Sequence, residues 1–162
     1  MIWQVEQLER EVANWPGVTA HFHQFAGREF RFGDAEIGHV HVGGVLDIPF
    51  PRAVRDALLA KGLAEEHHWV PDSGWTTFRI RRQDQMAHAI WLMRLSYARY
   101  AIKDSQDSRK TFEDERARLG LEEPFLSLLG RFVRRAPGGG SSEANVQRTG
   151  KVRPEQVQEG AR

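Results

Sequence analysis

The chain of 162 residues has the length and composition of one folded domain, with 40% hydrophobic and 10% aromatic residues. Its 23 lysines and arginines nearly balance 22 aspartates and glutamates, so a formal charge of +1 gives no general attraction to nucleic acid or acidic membranes. The absence of cysteine excludes disulfides, thiolate metal sites and cysteine nucleophiles. No apolar run approaches the roughly 20 residues that span a bilayer, and we expect a cytoplasmic protein.

The first half of the chain predicts one helix followed by several short strands. Apolar residues at helical spacing predict a helix over 2–14, which Trp15-Pro16-Gly17 ends. Val, Ile and Phe residues divided by glycines then predict three or four antiparallel strands within 18–48. Pro51 starts a short helix over 51–61, after which Gly62 provides a left-handed stop.

The second half predicts a hairpin and a long buried helix. Two strands, Ala64–Val70 and Trp75–Arg81, flank the turn residues Pro71-Asp72-Ser73-Gly74, which predicts a hairpin over 64–81. Apolar residues on several sides of the next segment predict a buried helix over 84–102. These elements indicate an α+β fold, in which an antiparallel sheet of about five or six strands packs against helices on one side.

The organisation of the chain follows from its changes in composition. We expect one α+β domain over 1–103 and a charged helical extension over 104–135. Residues 136–162 open with Ala-Pro-Gly-Gly-Gly-Ser-Ser and have almost no large apolar side chains, so they cannot offset the entropy of ordering their backbone. We predict that this tail is disordered.

The most informative motif is Glu36-Ile37-Gly38-His39-Val40-His41. An extended chain places His39 and His41 on one face, where two imidazoles point to the same region. Strict alternation puts Ile37 on that face and Glu36 on the other, unless a bulge at Gly38 brings the carboxylate round. An isolated pair of this kind also suits a solvated sheet face or hydrogen-bonded core residues.

This motif, together with Asp-Ile-Pro-Phe-Pro at 47–51 and Gly-Leu-Ala-Glu-Glu-His-His-Trp at 62–69, resembles the domain family that includes the luciferase of bioluminescent fungi. The resemblance runs from about Trp15 to Tyr100. Most bacterial members of that family have no assigned function. The resemblance implies a catalytic site formed by His39, His41, Glu36 and His67.

Fungal luciferases oxidise a 3-hydroxypyrone with molecular oxygen. The resemblance therefore implies an oxidoreductase or monooxygenase that acts on an acidic enol or pyrone-like small molecule, without light emission. A neutral imidazole, His39 or His41, would remove the enol proton. The other histidine and His67 would stabilise the oxyanion, and Glu36 would orient an imidazole.

A metal site is the alternative use of the same side chains. His39, His41 and His67 would suit Fe, Mn or Zn with open coordination positions, so the cofactor is either none or a divalent metal. The spacing from Gly33 to His39 and His41 also matches the opening of the first cupin motif. Cupins expect a glutamate four or five residues after the second histidine, whereas this chain has Val45 and Leu46 there and Asp47 one place later.

Four further residues are candidates for substrate binding: His23, Trp75, Phe78 and Arg79. Aromatic walls suit a flat conjugated ligand, and an arginine suits an enolate or carboxylate, although core packing and a solvated edge explain these residues equally well. A rival hypothesis is a non-catalytic metal- or ligand-binding protein with a His-rich sheet face. In that case the segment after Asp104 would recruit a protein partner.

Overall fold

A computed structural model describes residues 2–134, apart from the side chain of Phe25. This part of the chain contains five α-helices and six β-strands. In chain order they are α1 Trp3–Val12, β1 Val18–His23, β2 Gly27–Phe32, β3 Ala35–Val40, β4 Val45–Pro49, α2 Arg52–Ala60, β5 Glu65–Glu66, β6 Trp75–Arg79, α3 Met86–Asp104, α4 Ser108–Leu119 and α5 Phe125–Gly130. The segment 136–162, which was predicted to be disordered, lies outside the described residues.

The six strands form one antiparallel sheet in the order β1-β2-β3-β4-β6-β5. The predicted α+β class, with an antiparallel sheet of five or six strands and helices on one side, is confirmed. Helices α1 and α3 pack on the sheet, where α3 contacts β3 and β4. Phe30, Val40 and Leu46 are completely buried beneath them. The opposite face of the sheet carries polar side chains.

Helix α3 is the central packing element of the molecule. It lies between the sheet on one side and α4 on the other, which explains why its sequence is apolar on several faces. Leu92 and Met93 are fully buried, as are Leu8 and Val12 of α1. The helix occupies Met86–Asp104, close to the predicted 84–102.

The hairpin around residues 71–74 differs in detail from the predicted one. Its first strand is limited to Glu65–Glu66, which pairs with Thr76 and Thr77 of β6. Residues 67–74 form a loop, and two arginines of α2 hold part of its backbone: Arg52 donates to the Asp72 carbonyl and Arg55 to the Pro71 carbonyl. His67 therefore projects from a loop and not from a strand.

The charged extension packs on the rest of the structure as far as it is described. Helix α4 starts at an Asp107 cap, whose Oδ1 accepts from Lys110 N at 2.9 Å, and joins α3 through a buried pair of Arg94 and Glu115. Helix α5 packs on α2 and buries Phe125 and Leu129. Among residues 2–134, none of the helices combines the length and the apolar character needed to cross a membrane.

Candidate functional site

Polar side chains form a row across the open face of the sheet. The register opposes Glu29 of β2 to His39 of β3, His39 to Asp47 of β4, and Asp47 to Thr77 of β6. Residues directly opposite on neighbouring strands point to the same face, so this row lies on the face away from the helices. His41 lies two residues from His39 on that face. We call the surrounding group the histidine–carboxylate cluster: His23, His39, His41, His67, Glu29, Glu36 and Asp47.

A β-bulge brings Glu36 into the cluster. Phe30 pairs with Gly38, but the next residue, Arg31, pairs with Glu36, which leaves Ile37 as the extra residue. Ile37 is fully buried in the core, so the simple expectation that it shares the histidine face is wrong. Glu36 instead reaches that face, and its Oε1 lies 2.5 Å from His39 Nδ1.

Glycine is required at the bulge itself. Gly38 has a φ of +149°, a backbone conformation that side-chain-bearing residues rarely adopt. A Cβ atom at this position would lie 2.7 Å from Met93 Sδ on α3. The bulge can therefore pack tightly on α3 only because residue 38 has no side chain.

Asp47 connects three imidazoles and was missed as a site residue in the sequence. The residue is only 5% exposed. Its Oδ2 lies 3.5 Å from Nε2 of His39, 3.5 Å from Nε2 of His41 and 3.7 Å from Nε2 of His67. Its Oδ1 accepts a hydrogen bond from Thr77 Oγ1 at 2.5 Å. The available signal was the Gly-Gly turn after His41, which reverses the chain and returns Asp47 to a position opposite His39.

The two histidines of the motif have opposite pKa shifts. Burial alone would lower the pKa of His39, but hydrogen bonds to Asp47 and Glu36 and the charges of these carboxylates raise that pKa to about 9. Burial lowers the pKa of His41, and the neighbouring His39 charge lowers it further, against the opposing attraction of Asp47. At neutral pH, His39 is therefore an imidazolium and His41 a neutral imidazole.

The carboxylate of Asp47 is ionised in this environment. Burial by itself would raise its pKa, but hydrogen bonds from His39 and Thr77 and the nearby His67 lower the pKa below its ordinary value. The anion thus compensates the charge of His39 in a partly desolvated position. The pair of Asp47 and His39 gives the open face a fixed dipole beside His41.

His23 adds a fourth imidazole. Its ring stacks on that of His39, with 4.1 Å between the centroids and 18° between the planes. Its Nδ1 lies 3.4 Å from Glu29 Oε2. Burial by itself would raise the pKa of Glu29, but Arg31 and His23 together lower it below its ordinary value. His23 therefore joins the predicted catalytic residues, whereas its neighbour His21 bonds Thr19 at the exposed edge.

Three histidines place possible metal-ligating atoms close together. One ligand atom from each of His23, His39 and His41 lies within 4.8 Å of the others. The predicted ligand set contained His67 in place of His23; among the described residues His67 is not in this group and approaches Asp47 instead. The lone pair of an imidazole lies in its ring plane, so the stacked rings of His23 and His39 must rotate apart before both can bind one ion.

The predicted substrate-binding residues divide between the two faces. Trp75 lies beside the cluster, with its ring centroid 5.4 Å from that of His39 and 6.0 Å from that of His67. Arg79 is on the same face, where it forms an ion pair with Glu65. Strand alternation sends Phe78 to the helix side, 4.8 Å from the His88 ring, so the structure does not bring Phe78 to the cluster.

Fold and site together define an α+β domain that carries a histidine–carboxylate cluster on the open face of its sheet. Residues 34–96 match the family model described as Luciferase domain, so this segment is similar to the luciferase-like domain family. The matched segment runs from β3 into α3 and contains every member of the cluster except His23 and Glu29. No curated protein and no solved structure matched the chain.

Proposed function

We propose that the protein is a cytoplasmic small-molecule enzyme of the oxygenase type, which acts on an acidic enol or pyrone-like substrate and emits no light. The observation that carries this proposal is the pairing of a charged His39 with a neutral His41 around the buried Asp47 carboxylate. General acid–base catalysis needs this combination of a cation and a base at one place. The luciferase-like domain supports the same class of chemistry.

The cluster supplies a place for an acidic enol. The side chain of His41 is 28% exposed, more than that of His39 at 12%, so the neutral imidazole is the more accessible of the two. The Trp75 ring borders His39 and gives a flat conjugated substrate an aromatic surface. An enolate oxygen placed next to the His39 cation would be stabilised by its charge.

The reaction then follows from these positions. His41 accepts the proton of the enol O–H, which leaves an electron-rich enolate beside His39. Molecular oxygen is the second substrate: the enolate carbon supplies two electrons, one carbon–oxygen bond forms, and the proton on His41 is returned to the terminal peroxide oxygen. Glu36 and Asp47 act as positioning residues, because each accepts from an imidazole and holds its orientation.

Oxygen uptake with a panel of 3-hydroxy-2-pyrones and related enols tests the proposal. We expect consumption of oxygen with at least one enol, coupled to an oxygenated product detected by mass spectrometry. His41→Gln should lower the rate by about 100-fold or more, since a general base typically contributes that much. His68→Gln is the matched control, because His68 is exposed and stacks beside His67 without touching Asp47. Enols that bind without oxygen uptake would refute the oxygenase assignment.

A non-catalytic metal- or ligand-binding protein is the second candidate, favoured by the convergence of His23, His39 and His41. Elemental analysis of tag-free protein, prepared without chelators or nickel resin, distinguishes the two. Near-stoichiometric metal that is lost in a His23→Ala, His41→Ala variant would support metal binding. A metal content below a few per cent of the protein concentration in both proteins would favour the acid–base enzyme.

A further inference from the structure

A separate cleft of about 300 Å³ lies on the helix side of the molecule, between α1, α3 and α4. The sheet separates it from the histidine–carboxylate cluster. Its floor consists of Ala87, Ile90, Trp91 and Arg94, which are spaced to share one face of α3. This volume falls at the lower end of the range of roughly 300–1,000 Å³ that small-molecule sites occupy.

Buried contacts fix the shape of the cleft. Arg94 forms a bidentate ion pair with Glu115, through Nε–Oε2 at 2.7 Å and Nη2–Oε1 at 2.6 Å, which attaches α4 to α3. The Arg94 guanidinium also lies 4.8 Å from the centroid of the Trp15 ring and 4.6 Å from that of Tyr97. The positions of the walls are thus set before any ligand binds.

Two indole rings give the cleft apolar walls. Trp15 Nε1 donates to Glu11 Oε1 at 3.4 Å, and Trp91 Nε1 donates to the Leu119 carbonyl at 2.9 Å. Because both N–H groups have partners inside the protein, the rings offer a ligand only carbon atoms. The half-buried Trp91 provides most of this surface, whereas Trp15 is 8% exposed, lies under the Arg94 guanidinium and contributes only a small area. Such walls favour a flat, aromatic molecule.

The polar groups of the lining offer donors to an anion. The lining contains two guanidiniums, Arg94 and Arg118, and the carboxylate of Glu11, which accepts from Trp15. Because Glu115 neutralises Arg94, the site depends on the free donors of the two guanidiniums and not on an excess of positive charge. Glu115 accepts hydrogen bonds from Nε and Nη2 of Arg94. Nη1 of Arg94 makes no hydrogen bond to any described residue. Arg118 is exposed and forms no ion pair within residues 2–134. Guanidinium donors match the geometry of a carboxylate.

We propose that this cleft is a binding site for a flat aromatic carboxylate of one or two rings. The rings lie against Trp91 and the small exposed part of Trp15, and the carboxylate accepts from Arg118 and from Nη1 of Arg94. This site is independent of the proposed enzyme activity, because it shares no residue with the histidine–carboxylate cluster.

Isothermal titration calorimetry with 2-naphthoate tests the site, with 2-naphthylmethanol as the uncharged ligand of similar shape. We expect saturable binding of one naphthoate per chain and at least tenfold weaker binding of the alcohol.

Ala87→Trp should abolish binding by filling the cleft. Arg118→Gln should weaken it by about tenfold, since a hydrogen bond to a charged partner is lost. Arg116→Gln, an exposed arginine of the same helix that pairs with Glu113, should leave it unchanged.

Three results would overturn the proposal. The first is that naphthoate shows no saturable binding up to its solubility limit. The second is that the acid and the alcohol bind with equal affinity. The third is that the Ala87→Trp variant still binds naphthoate although its thermal unfolding curve is normal. His41→Gln should bind naphthoate like the wild type. The result is therefore independent of whether the histidine–carboxylate cluster proves to be catalytic.

Discussion

At the scale of single residues, Asp47 determines how the histidines behave. It is the one carboxylate in the described part of the chain that approaches Nε2 of three imidazoles, and its burial strengthens each interaction. Together with Glu36 it keeps His39 protonated, and the charge of His39 in turn disfavours a second proton on His41. Two histidines of one motif therefore acquire different chemical roles from their positions relative to the same carboxylate.

The raised pKa of His39 predicts a loss of stability at high pH. The folded-state value of about 9 exceeds the ordinary value of 6.5, so the stabilising interaction is complete below about pH 6.5 and disappears as the pH rises through 9. Its full magnitude is on the order of 3 kcal/mol. Urea unfolding of the wild type and of His39→Gln at pH 6 and pH 10 measures it. The wild type should be the more stable at pH 6, and this advantage should shrink at pH 10; an advantage that is independent of pH would contradict the pKa shift.

At the scale of elements, the hairpin of β3 and β4 builds the site and shows what a sequence can predict. The pairing of His39 and His41 on one face follows from strand periodicity, and it is present in the structure. The inclusion of Glu36 depends on a bulge, which only the register against β2 defines. The spacing of Asp47 from the histidines along the sequence does not reveal its role, because the contact arises from strand pairing across the turn. His67 was found by resemblance, although it lies in a loop that strand patterning had missed.

The bulge makes Gly38 sensitive to substitution. Gly38→Ala should lower the free energy of unfolding by about 3 kcal/mol, because it adds backbone strain and forces a Cβ against Met93. Gly33→Ala is the matched control: φ is also positive, at +57°, but nothing lies within 4 Å of the added Cβ, so only about 1 kcal/mol should be lost. Chemical denaturation measures both. Equal losses would show that the close approach of the bulge to α3 is unimportant.

At the scale of the whole molecule, helix α3 links the two sides of the structure. Its sheet-facing side supports the bulge under His39, and its other side holds α4 and the cleft between α1, α3 and α4. The sequence predicted both the helix and its heavy burial. It could not predict that Arg94 pairs with Glu115, because that contact depends on how α4 packs and not on any local pattern.

The ion pair of Arg94 and Glu115 should make α4 unfold together with the sheet domain. Arg94→Met leaves the Glu115 carboxylate buried without its partner, which we expect to cost about 3–5 kcal/mol. Lys110→Met, which removes the exposed pair with Asp114, should cause no measurable change. Thermal unfolding, followed by circular dichroism and by tryptophan fluorescence, measures the stability of each variant and shows whether the helices and the sheet unfold in one transition. Separate transitions in the wild type would show that α4 unfolds independently of the sheet domain.

The proposed mechanism requires opposite protonation of His39 and His41 at neutral pH, and an NMR titration of the imidazole nitrogens measures this directly. We predict a pKa of about 9 for His39 and a value below 6.5 for His41, and a lower His39 pKa in the Asp47→Asn variant. If both histidines titrate together near 6.5, or if Asp47→Asn leaves them unchanged, the cluster does not separate acid from base and the proposed mechanism is wrong.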